Sequence, residues 1–118
     1  MGAEVKRALV VEDEIMVAMY VEDLLTDLGY EVAAIATGLE QALPLARDGL
    51  FDFAVLDINL AGRLSFPIAD VLRERGIPFL FASSYGSKGV SEDYRGAIRI
   101  QKPFSGRDLA QAISKLAA

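Results

Sequence analysis

Apolar residues gather in five short runs: RALVVED (7–13), EVAAIA (31–36), FAVLDI (53–58), PFLFAS (78–83) and AIRIQK (97–102). Most are apolar at consecutive positions, without alternation, as expected of parallel strands buried on both faces. The segments between them carry helical spacing. Val17, Val21, Leu24, Leu25 and Leu28 form one stripe, with Glu22, Asp23, Thr26 and Asp27 on the other side and Gly29 as a stop that tolerates the left-handed conformation. Ile68, Val71 and Leu72 predict a further helix, with Pro67 near its start and Gly76 at its end. Leu109, Ala112, Ile113 and Leu116 predict the last, with Ser105 and Asp108 as a variant capping box. Two regions are weaker. LEQALPLAR (39–47) carries Pro44, which should kink a helix or delay its start. SYGSKGVSEDYRG (84–96) has three glycines and no apolar stripe, and predicts mostly loop with one helical turn near 91–95.

The strand runs start at 7, 31, 53, 78 and 97, a spacing of 19 to 25 residues. That is the rhythm of repeated strand–helix units, with right-handed crossovers joining parallel strands. The fold class expected is therefore α/β, a parallel sheet with interleaved helices. No composition break marks a linker and no internal repeat is visible, so residues 1–118 are expected to form a single domain.

Composition removes several function classes. A net charge of −5, from 12 basic and 17 acidic residues, argues against direct nucleic-acid binding. The absence of cysteine excludes disulfides and thiolate metal sites and fits a cytoplasmic location. The absence of histidine excludes histidine acid–base catalysis and zinc–histidine sites within the chain. No apolar run is long enough to insert into a membrane.

In an open parallel sheet, ligands bind beyond the carboxyl ends of the strands. The first run ends in Glu12-Asp13, the third at Asp57, the fourth at Ser83-Ser84 and the fifth at Lys102-Pro103. Each has an ordinary reading alone: acids cap the next helix, serines belong to loops, a lysine is a solvated charge, and Asp57 is a turn former. Three carboxylates, a hydroxyl and an amine at one edge of one sheet point instead to a site. Three negative charges against one positive leave an excess of two, and like charges a few ångströms apart repel by several kcal/mol at an effective dielectric of ~20. Hard oxygen ligands without nitrogen or sulfur make Mg2+ the natural counter-ion. Such a site suits phosphoryl transfer to a carboxylate. Asp57, at the end of a buried strand, is the candidate nucleophile; Glu12 and Asp13 would hold the metal; Lys102 would pair with carboxylate or phosphate oxygens; Ser83 would hydrogen-bond a phosphate oxygen.

The ordered set LVVEDE, AVLDINL, PFLFASSYG and IQKPF resembles the receiver domain of two-component response regulators over about residues 6–116. PFLFASSYG is similar to a subgroup of stand-alone receivers whose strand reads Phe-Ala-Thr-Gly-Tyr. The resemblance implies a flavodoxin-like, doubly wound five-stranded sheet in the order 2-1-3-4-5, helices on both faces and, here, a degenerate fourth helix. It implies that Asp57 is the phosphoacceptor, that Glu12, Asp13, Asp57 and the backbone carbonyl of Asn59 bind Mg2+, and that Ser83 and Lys102 contact the phosphoryl group, with Pro103 in the cis form. It also implies a phosphohistidine donor on a sensor histidine kinase or a histidine phosphotransfer protein, and a downstream protein target.

The sequence departs from the family pattern in places. Ala61 stands where many receivers have proline, Arg99 stands where many have an aromatic switch residue, and Ser83 follows Asp57 by only 26 positions. Tyr85 or Tyr94 could replace the missing aromatic, the signal could leave by rearrangement of 84–96, or both tyrosines could simply pack on the sheet edge. The leading expectation is a stand-alone receiver that signals by protein contact or serves as a phosphate sink. Phosphorylation would add roughly −1.5 to −2 charge at Asp57. The alternatives are a pseudo-receiver that binds partners without phosphorylation, and a Mg2+-dependent aspartyl-phosphate phosphatase. The phosphatase reading meets Asn59 where a second acid is wanted.

Overall fold

The structure, a computed structural model, describes residues 5–84 and 94–116. The chain runs β1 (Arg7–Val11), α1 (Ile15–Asp27), β2 (Glu31–Ala36), α2 (Leu39–Asp48), β3 (Phe53–Asp57), β4 (Asn59–Leu60), β5 (Arg63–Leu64), α3 (Phe66–Arg75), β6 (Phe79–Ser83), β7 (Arg99–Gln101) and α4 (Gly106–Leu116). Five strands form one parallel sheet in the order β2-β1-β3-β6-β7, as the family resemblance implies; β4 and β5 pair separately and antiparallel.

The consecutive apolar residues of the strands serve two cores. Leu9 and Val11 of β1, with Ala54 and Leu56 of β3, join one cluster against α2 and α3; Ala8, Val10, Phe53 and Val55 join the other against α1 and α4. Alternate side chains leave a strand on opposite faces, so a strand covered on both sides must be apolar throughout. The expected stripes turn inward for the most part: α1 buries Val21 and Leu25 together with Ala18, while Leu28 at its end is exposed, and α4 buries Leu109, Ala112 and Ile113.

The local signals hold with one adjustment. Gly29 and Gly76 take positive φ just beyond α1 and α3, as helix stops do. Ser105 and Asp108 exchange hydrogen bonds of 3.0 and 3.1 Å, completing the capping box of α4. Pro44, however, does not delay α2, which runs through it from Leu39. Pro44 and Glu40, whose carbonyl loses its intrahelical partner, both lie on the exposed side, while Leu39, Ala42 and Ala46 are buried. Water can satisfy the freed carbonyl, and apolar burial holds the helix. The fourth-helix region expected to be degenerate lies largely outside the described residues, as does Tyr85.

The hairpin was not anticipated from the pattern. Ala61 and Gly62 take φ of 53° and 92° between the paired residues Leu60 and Arg63. Two consecutive positive φ values define the tight turn whose twist matches paired strands. Proline, locked near φ −65°, cannot occupy position 61 in this turn.

Candidate functional site

Sheet order explains how distant residues meet. Strands β1, β3, β6 and β7 are consecutive neighbours and all run the same way. Val11 pairs with Leu56, Asp57 with Ala82 and Ser83 with Gln101. Their carboxyl ends therefore share one edge, carrying Glu12, Asp57, Ser83 and Lys102. The Lys102 amide donates to the Ser83 carbonyl at 2.8 Å, which continues the ladder into the site. The Lys102–Pro103 bond is cis, as the resemblance implies.

Lys102 Nζ lies 2.6 Å from Glu12 Oε2 and 3.3 Å from Asp57 Oδ2. Glu12 and Asp57 are buried, as is Ser83. Oxygen atoms from Glu12, Asp13 and Asp57 all lie within 4.8 Å of one another. One ammonium is thus shared between two buried carboxylates, with a third acid beside them. The imbalance shows in protonation. Burial, then repulsion from Glu12, pushes the Asp57 carboxyl from 3.8 up to about 7, against the charge and hydrogen bond of Lys102. Burial pulls the Lys102 ammonium down, but its hydrogen bond to Glu12 and the charges of Asp57 and Glu12 outweigh that and raise its pKa.

These residues border a cavity of about 280 Å3, which Asp13, Asp57, Asn59, Ser83 and Lys102 help to line. The donor set fits a hard divalent cation. Its ligand atoms are carboxylate oxygens close enough to share one ion, and burial together with the neighbouring Glu12 charge disfavours the ionised form of Asp57, which a cation would offset. Asn59 sits at the cavity with its side-chain Oδ1 accepting the Gly62 amide at 2.6 Å, so that group is committed to the hairpin.

The sequence marked Ala61 only as a departure from the family pattern and did not mark Leu64; both line the same cavity from the hairpin. The signal was available in the Ala-Gly dipeptide between Leu60 and Arg63. Nor did it single out Ile15, Met16, Met19 and Tyr20, exposed apolar residues on α1 just after the acidic pair. Away from the site, Tyr94 is buried, stacked on Phe66 at 5.4 Å between ring centroids and edge-on to Phe79 and Phe81. Its hydroxyl donates to Asp70, and the Arg73 guanidinium lies over its ring. Tyr94 thus belongs to a core cluster, packed against α3 and the inner strand β6. Arg99, half-buried on β7, lines a different cavity with Asp108 and Lys115.

Comparison with known proteins gives the same picture. The model of the response regulator receiver domain family matches residues 8–114. The solution structure of SdrG from Sphingomonas melonis Fr1 is similar with a TM-score of 0.87 and 36% identity, covering 97% of this chain and 98% of that one. The BeF3-activated conformation of SdrG is similar with a TM-score of 0.83 and 34% identity, covering 99% and 100%. The transcriptional regulatory protein PdtaR of Mycobacterium tuberculosis is 28% identical over 112 residues, 92% of this chain but 55% of PdtaR. The chain thus spans about half the length of this curated relative.

Proposed function

Because this chain belongs to the response regulator receiver domain family, we propose that it relays signals by accepting a phosphoryl group on Asp57. The observation that carries the assignment is the position of the Asp57 carboxylate. It lies beside Glu12 and Asp13, 3.3 Å from the Lys102 ammonium, at a cavity also lined by Ser83.

A carboxylate oxygen of Asp57 attacks phosphorus of a phosphohistidine, and the P–N bond breaks with the imidazole as leaving group. Asp57 must be ionised to attack, and Lys102 supplies the nearest positive charge to that form. Glu12, Asp13, Asp57 and the Asn59 carbonyl would hold Mg2+, which supplies charge neutralisation for the transferring phosphoryl oxygens when bound. The hydroxyl of Ser83 donates a hydrogen bond to a phosphoryl oxygen, and Lys102 stabilises the product charge. The lack of histidine in this chain fits a donor on another protein, a sensor histidine kinase or a histidine phosphotransfer protein. The exposed apolar face of Ile15, Met16, Met19 and Tyr20 beside the acidic pair gives such a donor a surface to rest on.

The phosphoprotein then acts through contact with another protein or drains phosphoryl groups as a sink. The BeF3-activated form of SdrG supports a response to phosphorylation in this fold. A single receiver domain across residues 1–118, acting in the cytoplasm, is part of the same proposal. No helix among the described residues is long and apolar enough to cross a membrane, which accords with it.

The test is intact-mass measurement after incubation with Mg2+ and acetyl phosphate. One added phosphoryl group, absent in Asp57→Asn, supports the assignment. No adduct, where a control receiver is labelled, favours the pseudo-receiver. Steady turnover of a small phosphate ester would favour the phosphatase.

A further inference from the structure

The hairpin after Asp57 contributes only the Asn59 carbonyl to the transfer just described, yet it forms one side of the cavity. Among the described residues that line the cavity, only Ile58, Ala61 and Leu64 are apolar, and two of these come from the hairpin. Leu64 is 46% exposed, an apolar side chain standing at the boundary between cavity and solvent. It has no place in either core cluster, so core packing does not account for it.

The hairpin is built to hold that position. Its base closes with the Ser65 amide donating to the Ile58 carbonyl at 2.8 Å. Asn59 pairs with Leu64 across the ladder, and the Asn59 side chain accepts the Gly62 amide at the tip. Leu60 is buried in the core beneath, while Arg63 pairs with Glu40 of α2 at 3.2 Å. Ala61 adopts φ 53°, a conformation that costs a non-glycine residue energy. A segment of six residues thus carries five separate restraints, and a strained alanine is kept at the cavity lining.

We propose that this hairpin is a fixed apolar wall that limits water at the phosphoryl group, with Leu64 setting the lifetime of the phosphorylated state. The inference rests on Asp57 being the phosphoacceptor. An acyl phosphate decays when a water oxygen bonds to phosphorus. The bond from phosphorus to the Asp57 oxygen breaks, its electron pair returns to the carboxylate, and inorganic phosphate leaves with a proton lost to solvent. An aliphatic side chain at the mouth offers that water no hydrogen bond and occupies its approach. A hydroxyl at the same place offers both a partner and space.

The experiment labels the wild type, Leu64→Ser, Leu64→Met and Ala61→Pro with acetyl phosphate and Mg2+. The reagent is then removed and the decay of the adduct followed by intact mass. Leu64→Ser should decay about three- to tenfold faster, which at its upper end is a barrier change of about 1.36 kcal/mol. Leu64→Met should keep the wild-type rate, and Ala61→Pro, which cannot form the turn, should decay faster. Urea midpoints for the two Leu64 variants should match the wild type, because Leu64 is outside the core. Wild-type decay in both Leu64→Ser and Ala61→Pro overturns the wall. If the wild type takes no label where a control receiver does, the phosphoacceptor premise fails first and the wall with it.

Discussion

Removing the charge at position 57 should change how stability depends on pH. In metal-free buffer the folded protein holds the Asp57 carboxyl at about 7, against 3.8 for an unperturbed aspartate. Between those values the folded state binds more protons than the unfolded state. Stability therefore falls as pH rises through the window and levels off above it, the reverse of a salt-bridged aspartate. Each pH unit is worth about 1.36 kcal/mol, so the full swing is on the order of 4 kcal/mol. Asp57 is only 8% exposed, so solvent screens little of this. Lys102 does not confuse the window, because its raised pKa acts only above pH 10.5. The assay is urea denaturation of wild type and Asp57→Asn at pH values from about 4 to 8 in EDTA. The variant cannot ionise at position 57, so its stability relative to the wild type should climb across that range. Other titrating groups contribute to both proteins and largely cancel in the difference. Parallel curves would refute the picture of a carboxyl pushed up by burial and by its acidic neighbour.

Other consequences follow from the same contacts. Mg2+ should raise the unfolding midpoint, by about 2.7 kcal/mol at a hundredfold excess over its dissociation constant. Asp13→Asn should weaken that gain, and an equal response in the variant would remove Asp13 from the metal site. The Ser65 hydroxyl is fully buried and has no hydrogen-bond partner among the described residues, so Ser65→Ala should stabilise the protein by about 1 kcal/mol in urea denaturation. A loss of stability there would mean the hydroxyl has a partner. Tyr94→Ala should cost about 3–5 kcal/mol by emptying the aromatic cluster of Phe66, Phe79 and Phe81. Tyr94→Phe should cost only about 1 kcal/mol, the hydrogen bond to Asp70. Equal losses in the two variants would show that the hydroxyl, not the ring, carries the stability.

The parallel sheet was readable because burial on both faces forces unbroken apolar runs, and those of residues 7–13, 31–36, 53–58 and 78–83 could hardly be anything else. The convergence of these side chains was readable because strand ends are where such a sheet exposes chemistry, and Glu12-Asp13, Asp57, Ser83 and Lys102 are polar where the runs stop. The helix through Pro44 was not, because its survival depends on which face of the helix meets the core. The hairpin was missed for a related reason. Two-residue strands are too short to show a period, and the Ala-Gly turn gains its meaning only once Leu60 is anchored below and Leu64 is left at the cavity.

Local chemistry along the chain thus determined the strand–helix rhythm, the helix stops and caps, and the residue types available for catalysis, since each depends on neighbours a few positions away. Tertiary structure alone decided that one ammonium is shared by Glu12 and Asp57, that Asp57 is pushed toward neutrality, and that an apolar hairpin borders the cavity. Those properties come from distances and burial between segments far apart in sequence, and a carboxylate's letter in the chain does not reveal the charges or the water around it.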